Sequence, residues 1–231
     1  MEQERIIREY QAREKRGAAG LYSMLRPANE FSVQRLERAL LRCFARAGVH
    51  DLAPLEFMDI GCGTGGQLLR WIQWGARPEH CHGVDLVAER LDQARHRLAA
   101  AVVLRPGDAS RLPYPDHSFD VTSQFTVLSS ILDDAMQAAV AREMVRITKP
   151  GGLILSYDFW LNPVNTATRG MPLARMRELF PDCALQAERI TLAPPIARRL
   201  APVSPALCRI LESCRVLNSH FLVMLRPHSH S

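Results

Sequence analysis

The 231-residue sequence predicts an α/β fold built on a doubly wound, mostly parallel sheet. Three observations carry that expectation. Short apolar runs alternate with amphipathic helical stretches from Leu55 to Tyr157, a glycine-rich turn follows the first run, and an acid stands at or just past the end of each of the first three runs.

Taken in order, Met1 to about Arg16 is highly charged, with Glu and Arg at helical spacing, and reads as an exposed helix or arm that carries little core. After the break at Gly17 to Gly20, the stretch Ser32 to Ala47 puts Val33, Leu36, Leu40, Cys43 and Phe44 on one helical face, which should pack on the main domain. We therefore expect residues 1–50 to form a helical arm or lid and residues 51–231 that domain. Strands are predicted at Glu56 to Ile60, His82 to Leu86, Val102 to Pro106, Val121 to Phe125 and Leu153 to Tyr157. Helices are predicted at Gln67 to Trp74, Ala88 to Leu98 and Asp134 to Ile147. Past Tyr157 the chain is cut into short pieces by Asn162-Pro163, Gly170, Pro172, Pro181, Pro194-Pro195, Pro202 and Pro205, so about 160–216 should cover a pocket. Two further strands are expected, near Ala184 to Thr191 and His220 to Leu225.

Bulk properties narrow the function. A hydrophobic content of 47% over 231 residues supports a sizeable core without metal or disulfide support. The six cysteines form no C-x-x-C pair and fit a reducing compartment. No apolar run approaches the length of a membrane span, and the N-terminus lacks a signal-like apolar stretch, so a cytoplasmic protein that does not engage a membrane is expected. The net charge of +5 is spread over nearly every segment and interleaved with acids, which argues against a nucleic-acid partner. The triplet His80-Cys81-His82 is the one cluster suggestive of metal, but a strand sends its middle residue to the opposite face, and no metal is expected.

The chemistry concentrates in Phe57-Met58-Asp59-Ile60-Gly61-Cys62-Gly63-Thr64-Gly65-Gly66. Glycines at a strand-to-helix turn let backbone approach a ligand closely, and Gly61, Gly63 and Gly66 also satisfy the spacing of dinucleotide-binding turns. Asp85, ending the second strand, is placed to accept both ribose hydroxyls of an adenosine, which serves NAD and S-adenosylmethionine equally. Asp59, so close to the turn, would repel a pyrophosphate but attract an ammonium group. Asp108, in Pro106-Gly107-Asp108-Ala109, follows the third strand, where a side-chain oxygen can accept the adenine amino group while a backbone amide meets the ring.

With these motifs in order, the stretch from about residue 55 to 158 resembles the class I S-adenosylmethionine-dependent methyltransferases. Asp59 to Gly65 looks like their glycine motif, Asp85 like their ribose acid and Asp108 like their adenine-side acid. Leu112 to Val121 is similar to the segment entering their fourth strand, and Arg142 to Gly152 to the helix and turn before their fifth. The resemblance implies a Rossmann-like seven-stranded sheet whose last strand, about Ser219 to Arg226, runs antiparallel. It implies S-adenosylmethionine as cofactor, contacted by Asp59, Gly61, Cys62, Gly63, Gly65, Asp85, Leu86, Asp108 and Ala109, with Gln124 and Phe125 on the methionine side. Where many relatives of this type carry a histidine pair after the fourth strand, this chain has Ser129 and Ser130.

Methyl transfer from a sulfonium needs alignment above all, and a hydroxyl acceptor needs a base within reach as well. Asp158 is the preferred base because it should emerge at the ligand edge beside Tyr157 and Trp160; His220 is the second candidate, and Tyr22 is a residue that would close over the acceptor. Two short stretches, Gly20 to Asn29 and Leu217 to Leu222, resemble small-molecule and sugar methyltransferases of bacterial biosynthetic clusters. The expected acceptor is accordingly a small molecule, a sugar or specialised-metabolite hydroxyl, with a homodimer left open. The alternatives are a nicotinamide-dependent oxidoreductase, against which Asp59 and Asp108 count, and a catalytically silent methyltransferase-like binding protein.

Overall fold

The computed structural model describes residues 1–15, 20, 23–161 and 165–228, the side chain of Glu14 excepted. Tyr22 and Asn162-Pro163 lie outside the described residues. Seven strands form one sheet: β1 Phe57–Ile60, β2 Cys81–Asp85, β3 Val103–Pro106, β4 Phe119–Phe125, β5 Thr148–Phe159, β6 Cys183–Leu192 and β7 Asn218–Pro227. Their spatial order is β3-β2-β1-β4-β5-β7-β6. The first five pair in parallel, and β7 is antiparallel to both of its neighbours. The order reverses between β1 and β4, so the strand ends there open a crevice in which an α/β sheet binds its ligands.

The helices are α1 Glu2–Lys15, α2 Pro27–Arg46, α3 Gly66–Gln73, α4 Ala88–Arg97, α5 Asp134–Ile147, α6 Leu173–Leu179, α7 Pro194–Leu200 and α8 Pro205–Ser213. One layer of the core centres on Trp71 of α3, whose ring stacks on Phe57 at 5.8 Å and meets Phe44 of α2 edge-on at 5.4 Å. Leu36, Leu40, Cys43 and Phe44 are buried there as the apolar stripe predicts, whereas Val33 is only half-buried. The other layer places Val140, Ala141, Met144 and Ile147 of α5 against Met58, Ile60 and Ile154. That helix starts where Asp133 accepts the Met136 N–H at 2.7 Å.

Two expectations change in detail. The prolines past Tyr157 start helices as well as break them: Pro194 and Pro205 occupy the first turn of α7 and α8, where the missing N–H costs nothing. The charged N-terminus does carry core, because Ile6 sits one turn from Tyr10 on the single apolar face of α1 and is buried against the α5 side of the sheet.

Candidate functional site

The turn after β1 takes its shape from Gly61, Gly63 and Gly65, which hold φ of 63°, 54° and 76°. These left-handed values are cheap only for glycine. A Cβ on Gly61 would lie 2.4 Å from Val127 Cγ2, and one on Gly63 2.4 Å from Arg90 Nη2, so the bare backbone also makes room for close neighbours. Cys62 packs its sulfur over Gly83 and donates its N–H to Val84 O at 3.0 Å.

Asp85, 6% exposed at the tip of β2, accepts the Gly63 N–H and the Val87 N–H, each at 2.8 Å, and so ties the glycine turn to the start of α4. Asp108 accepts the Ser110 N–H at 2.8 Å through Oδ1, and at Oδ2 it accepts Gln3 Nε2 at 2.6 Å from α1. Asp59 lies buried beneath the turn and accepts Ser123 Oγ–H at 2.8 Å; burial pushes its carboxyl up to about 7.

Gly61, Asp85, Leu86 and Ala109 line one cleft together, roofed by Ile6 and Tyr10 of α1. The remaining expected contacts, Asp59, Cys62, Gly63, Gly65, Asp108, Gln124 and Phe125, do not line that cleft. Its free space is about 50 Å³, far below the few hundred Å³ typical of a small-molecule site. The residues nevertheless suit a nucleoside: a carboxylate at a strand tip, a glycine turn facing it, and an apolar slot from Leu86, Ala109, Ile131 and Met136. Arg90 guards the same place, 3.9 Å from Asp85 Oδ2 and 4.7 Å over the Tyr10 ring.

A second cavity of about 580 Å³ opens on the other face of the sheet, between β5, β7, α2 and α7. Ser130 lines both it and the cleft. The period-two alternation of strands divides the two candidate bases between faces. His220 pairs with Phe159 and shares its face with Tyr157, whereas Asp158 pairs with Phe221 and points the other way. Asp158 is 2% exposed, accepts Gln124 Nε2 at 2.5 Å and the Ser129 N–H at 3.2 Å, and does not line the cavity; burial raises its carboxyl to about 6.

His220 does line the cavity, stacked on Tyr157 at 4.6 Å and 3° and beside Phe159 at 4.0 Å. Its tautomer follows from a short relay. Ser219 Oγ donates to Thr191 O at 3.3 Å, which leaves it to accept from His220 Nδ1–H at 2.9 Å and puts the free lone pair on Nε2. Burial holds the imidazole pKa down to about 3, so the ring is neutral at physiological pH. Tyr157 hydrogen-bonds Thr191 Oγ1 at 2.7 Å, and burial pushes its phenol well up. Gln124 and Phe125 also part company across the sheet: Gln124 faces Asp158, and Phe125 packs toward Tyr157 with ring centroids 6.1 Å apart.

Sequence reasoning missed Ile6 and Tyr10, whose segment looked like a solvated helix, and Arg90, which carries no signal beyond its place in the first turn of α4. Among the described residues no group of His, Cys, Asp and Glu is arranged to hold a metal, and no helix is long and apolar enough to cross a membrane. His82, of the His80-Cys81-His82 triplet, instead hydrogen-bonds Tyr114 Oη through Nδ1 at 3.1 Å.

Residues 58–156 match the model of a methyltransferase domain family. Among curated relatives, the chain is 34% identical over 135 residues to 27-O-demethylrifamycin SV methyltransferase of Amycolatopsis mediterranei, covering 55% of this chain and 48% of that one. It spans less than half the length of the curated relatives it matches. Two solved structures share the fold: an S-adenosylmethionine-dependent methyltransferase from Mesorhizobium loti, with TM-score 0.59, 18% identity and coverage of 78% and 94%, and the cyclase SpnF, with TM-score 0.61, 18% identity and coverage of 83% and 81%. Residues 58–156, the motif-bearing stretch, thus carry a methyltransferase domain of the class I S-adenosylmethionine-dependent kind, and the seven-stranded sheet with its antiparallel β7 has the fold of the solved neighbours.

Proposed function

We propose that the protein transfers a methyl group from S-adenosylmethionine to a hydroxyl of a small molecule, a sugar or specialised metabolite, seated in the cavity beside His220. The observation that carries this reading is the meeting of a nucleoside-type cleft and a separate 580 Å³ cavity at one shared residue, Ser130. S-adenosylmethionine, when bound, supplies an electrophilic methyl on a sulfonium. The chain supplies the positioning. Asp85 would hold the ribose hydroxyls, Asp108 and the Ala109 backbone the adenine edge, and the glycine turn with Asp59 beneath it the amino-acid end.

On the acceptor side, His220 Nε2, its tautomer fixed by Ser219 and Thr191, accepts the hydroxyl's hydrogen bond and takes its proton as the new O–CH₃ bond forms and makes that oxygen strongly acidic. Asp158 is a positioning residue: it fixes the turn at Ser129 and Ser130 that separates cleft from cavity. Residues 1–50 act as the lid, with α1 over the cleft and α2 along the cavity. A metabolite acceptor agrees with the name of the similar 27-O-demethylrifamycin SV methyltransferase.

The test is calorimetric titration of the full chain with S-adenosylhomocysteine and, separately, with NAD. Micromolar binding of S-adenosylhomocysteine alone is expected. Binding of NAD alone moves the assignment to an oxidoreductase, and binding of neither moves it to a silent scaffold.

A further inference from the structure

The charges around the acceptor cavity are one-sided. Its walls bring in Arg13 from α1, paired with Glu9, and Arg198 from α7 together with His220, and among the described residues no Asp or Glu lines it. The two nearest buried carboxylates on the β5–β7 side are otherwise engaged. Glu212 accepts the Thr191 N–H at 3.1 Å and lies 3.0 Å from Arg35 Nε, and Asp158 faces the opposite side of the sheet, held by Gln124 and Ser129. Arg13 spends its Nε on Glu9 at 3.1 Å, which leaves the far side of a five-donor fork. Arg198 is exposed at the rim, and among the described residues no carboxylate pairs with it. Between these cations and the His220 end, the wall is built from rings and aliphatic side chains such as Tyr157, Phe159, Val33 and Leu36.

We infer that the acceptor is an amphipathic anion: a hydroxyl-bearing apolar body that reaches His220 and carries a carboxylate, sulfonate or phosphate held by Arg198 and Arg13 at the cavity mouth. A guanidinium matches such planar or tetrahedral oxyanions in geometry as well as in charge. An uncharged sugar would leave Arg198 without a counter-charge, and a cationic amine would be repelled. The inference rests on the reading of this cavity as the acceptor site.

Two fluorescent probes that differ in one group test it: anilinonaphthalene sulfonate, an aromatic anion, and N-phenylnaphthylamine, the same skeleton without the sulfonate. The full chain should bind the sulfonate about tenfold more tightly than the neutral amine, equivalent to about 1.4 kcal/mol. Arg198→Gln combined with Arg13→Gln should bring the two affinities to within about twofold. Val33→Trp, which fills the cavity, should weaken both probes together. Equal binding of the two probes by the unmodified chain overturns the inference, as does a sulfonate preference that survives the double substitution or the filled cavity. Titration with S-adenosylhomocysteine on the same samples decides the methyltransferase reading separately, because that ligand occupies the other side of Ser130. A chain that binds S-adenosylhomocysteine but shows no anion preference therefore sinks only the anionic acceptor.

Discussion

Gln124 on β4 donates from Nε2 to Asp158 Oδ2 on β5 at 2.5 Å, while its own Oε1 accepts the Val127 N–H at 2.9 Å. One amide thus satisfies a buried carboxylate and pins the turn that carries Ser129 and Ser130 between the two ligand spaces. The pair forms because parallel register sets Gln124 beside Ser156, two positions before Asp158 on the same face of the sheet.

Gln124→Leu removes both functions without changing the side chain's length much. Burial already raises the Asp158 carboxyl to about 6, and the hydrogen bond from Gln124 works against that rise. A carboxyl raised in the folded state costs stability as pH climbs through its folded value, so the variant should lose about 1–3 kcal/mol at pH 8 and much less at pH 5. Denaturant melts at the two pH values check this. An equal loss at both would show that Asp158 does not depend on Gln124.

Asp59→Asn tests the second buried acid. The carboxyl rises to about 7 chiefly through burial, so the ionised form is penalised in the fold and stability falls as pH rises from about 4 through 7. Asparagine keeps an acceptor for Ser123 and cannot ionise. The variant should melt several degrees higher than the parent at pH 8 and at nearly the same temperature at about pH 3.5, yet bind S-adenosylhomocysteine at least about tenfold more weakly at pH 8. Stabilisation with unchanged affinity would leave Asp59 a structural residue alone.

His220→Phe preserves the stack on Tyr157 and removes the Nε2 lone pair. If the ring is the base, turnover should fall about 10²- to 10⁴-fold with cofactor affinity unchanged. The assay measures labelled methyl transfer to a hydroxylated acceptor found by screening. Asp158→Asn in the same assay should chiefly disturb the turn and the pH dependence, because Asp158 does not line the cavity beside His220.

Much of this was readable from sequence. The strand-and-helix alternation, the glycine turn and the three acids are short-range patterns, and each sits where its local chemistry puts it: Asp85 at the tip of β2, Asp59 under the turn, Asp108 past β3. Which of Asp158 and His220 lines a cavity was not readable, because it depends on which face of the sheet the cavity opens on. That is fixed only when β7 inserts between β5 and β6. The role of α1 escaped for a similar reason: Ile6 and Tyr10 are too few to mark an apolar stripe, and their partners Ala109, Ile131 and Arg90 lie about 80 or more residues away.

The position of α1 carries the last prediction. Gln3 Nε2 donates to Asp108 Oδ2, the acceptor proposed for the adenine amino group, so an amide N–H stands where a nucleobase N–H would go. Around it, Glu2 accepts the Leu132 N–H at 2.7 Å, Arg5 donates to Ser130 O at 2.6 Å, and the Tyr10 ring lies under Arg90. A nucleoside whose amino group takes Asp108 Oδ2 therefore competes with α1 for it. A contact that competes with the ligand for one acceptor lowers apparent affinity by the fraction of molecules that hold it. Gln3→Ala should therefore bind S-adenosylhomocysteine about two- to tenfold more tightly and associate faster in stopped-flow measurements, since an exposed hydrogen bond is worth about 0.5–1.5 kcal/mol. Ile6→Ala should speed association too, but it should also speed dissociation, because Ile6 roofs the cleft whether or not a ligand lies below. Weaker binding by Gln3→Ala would instead make Gln3 part of the nucleoside site.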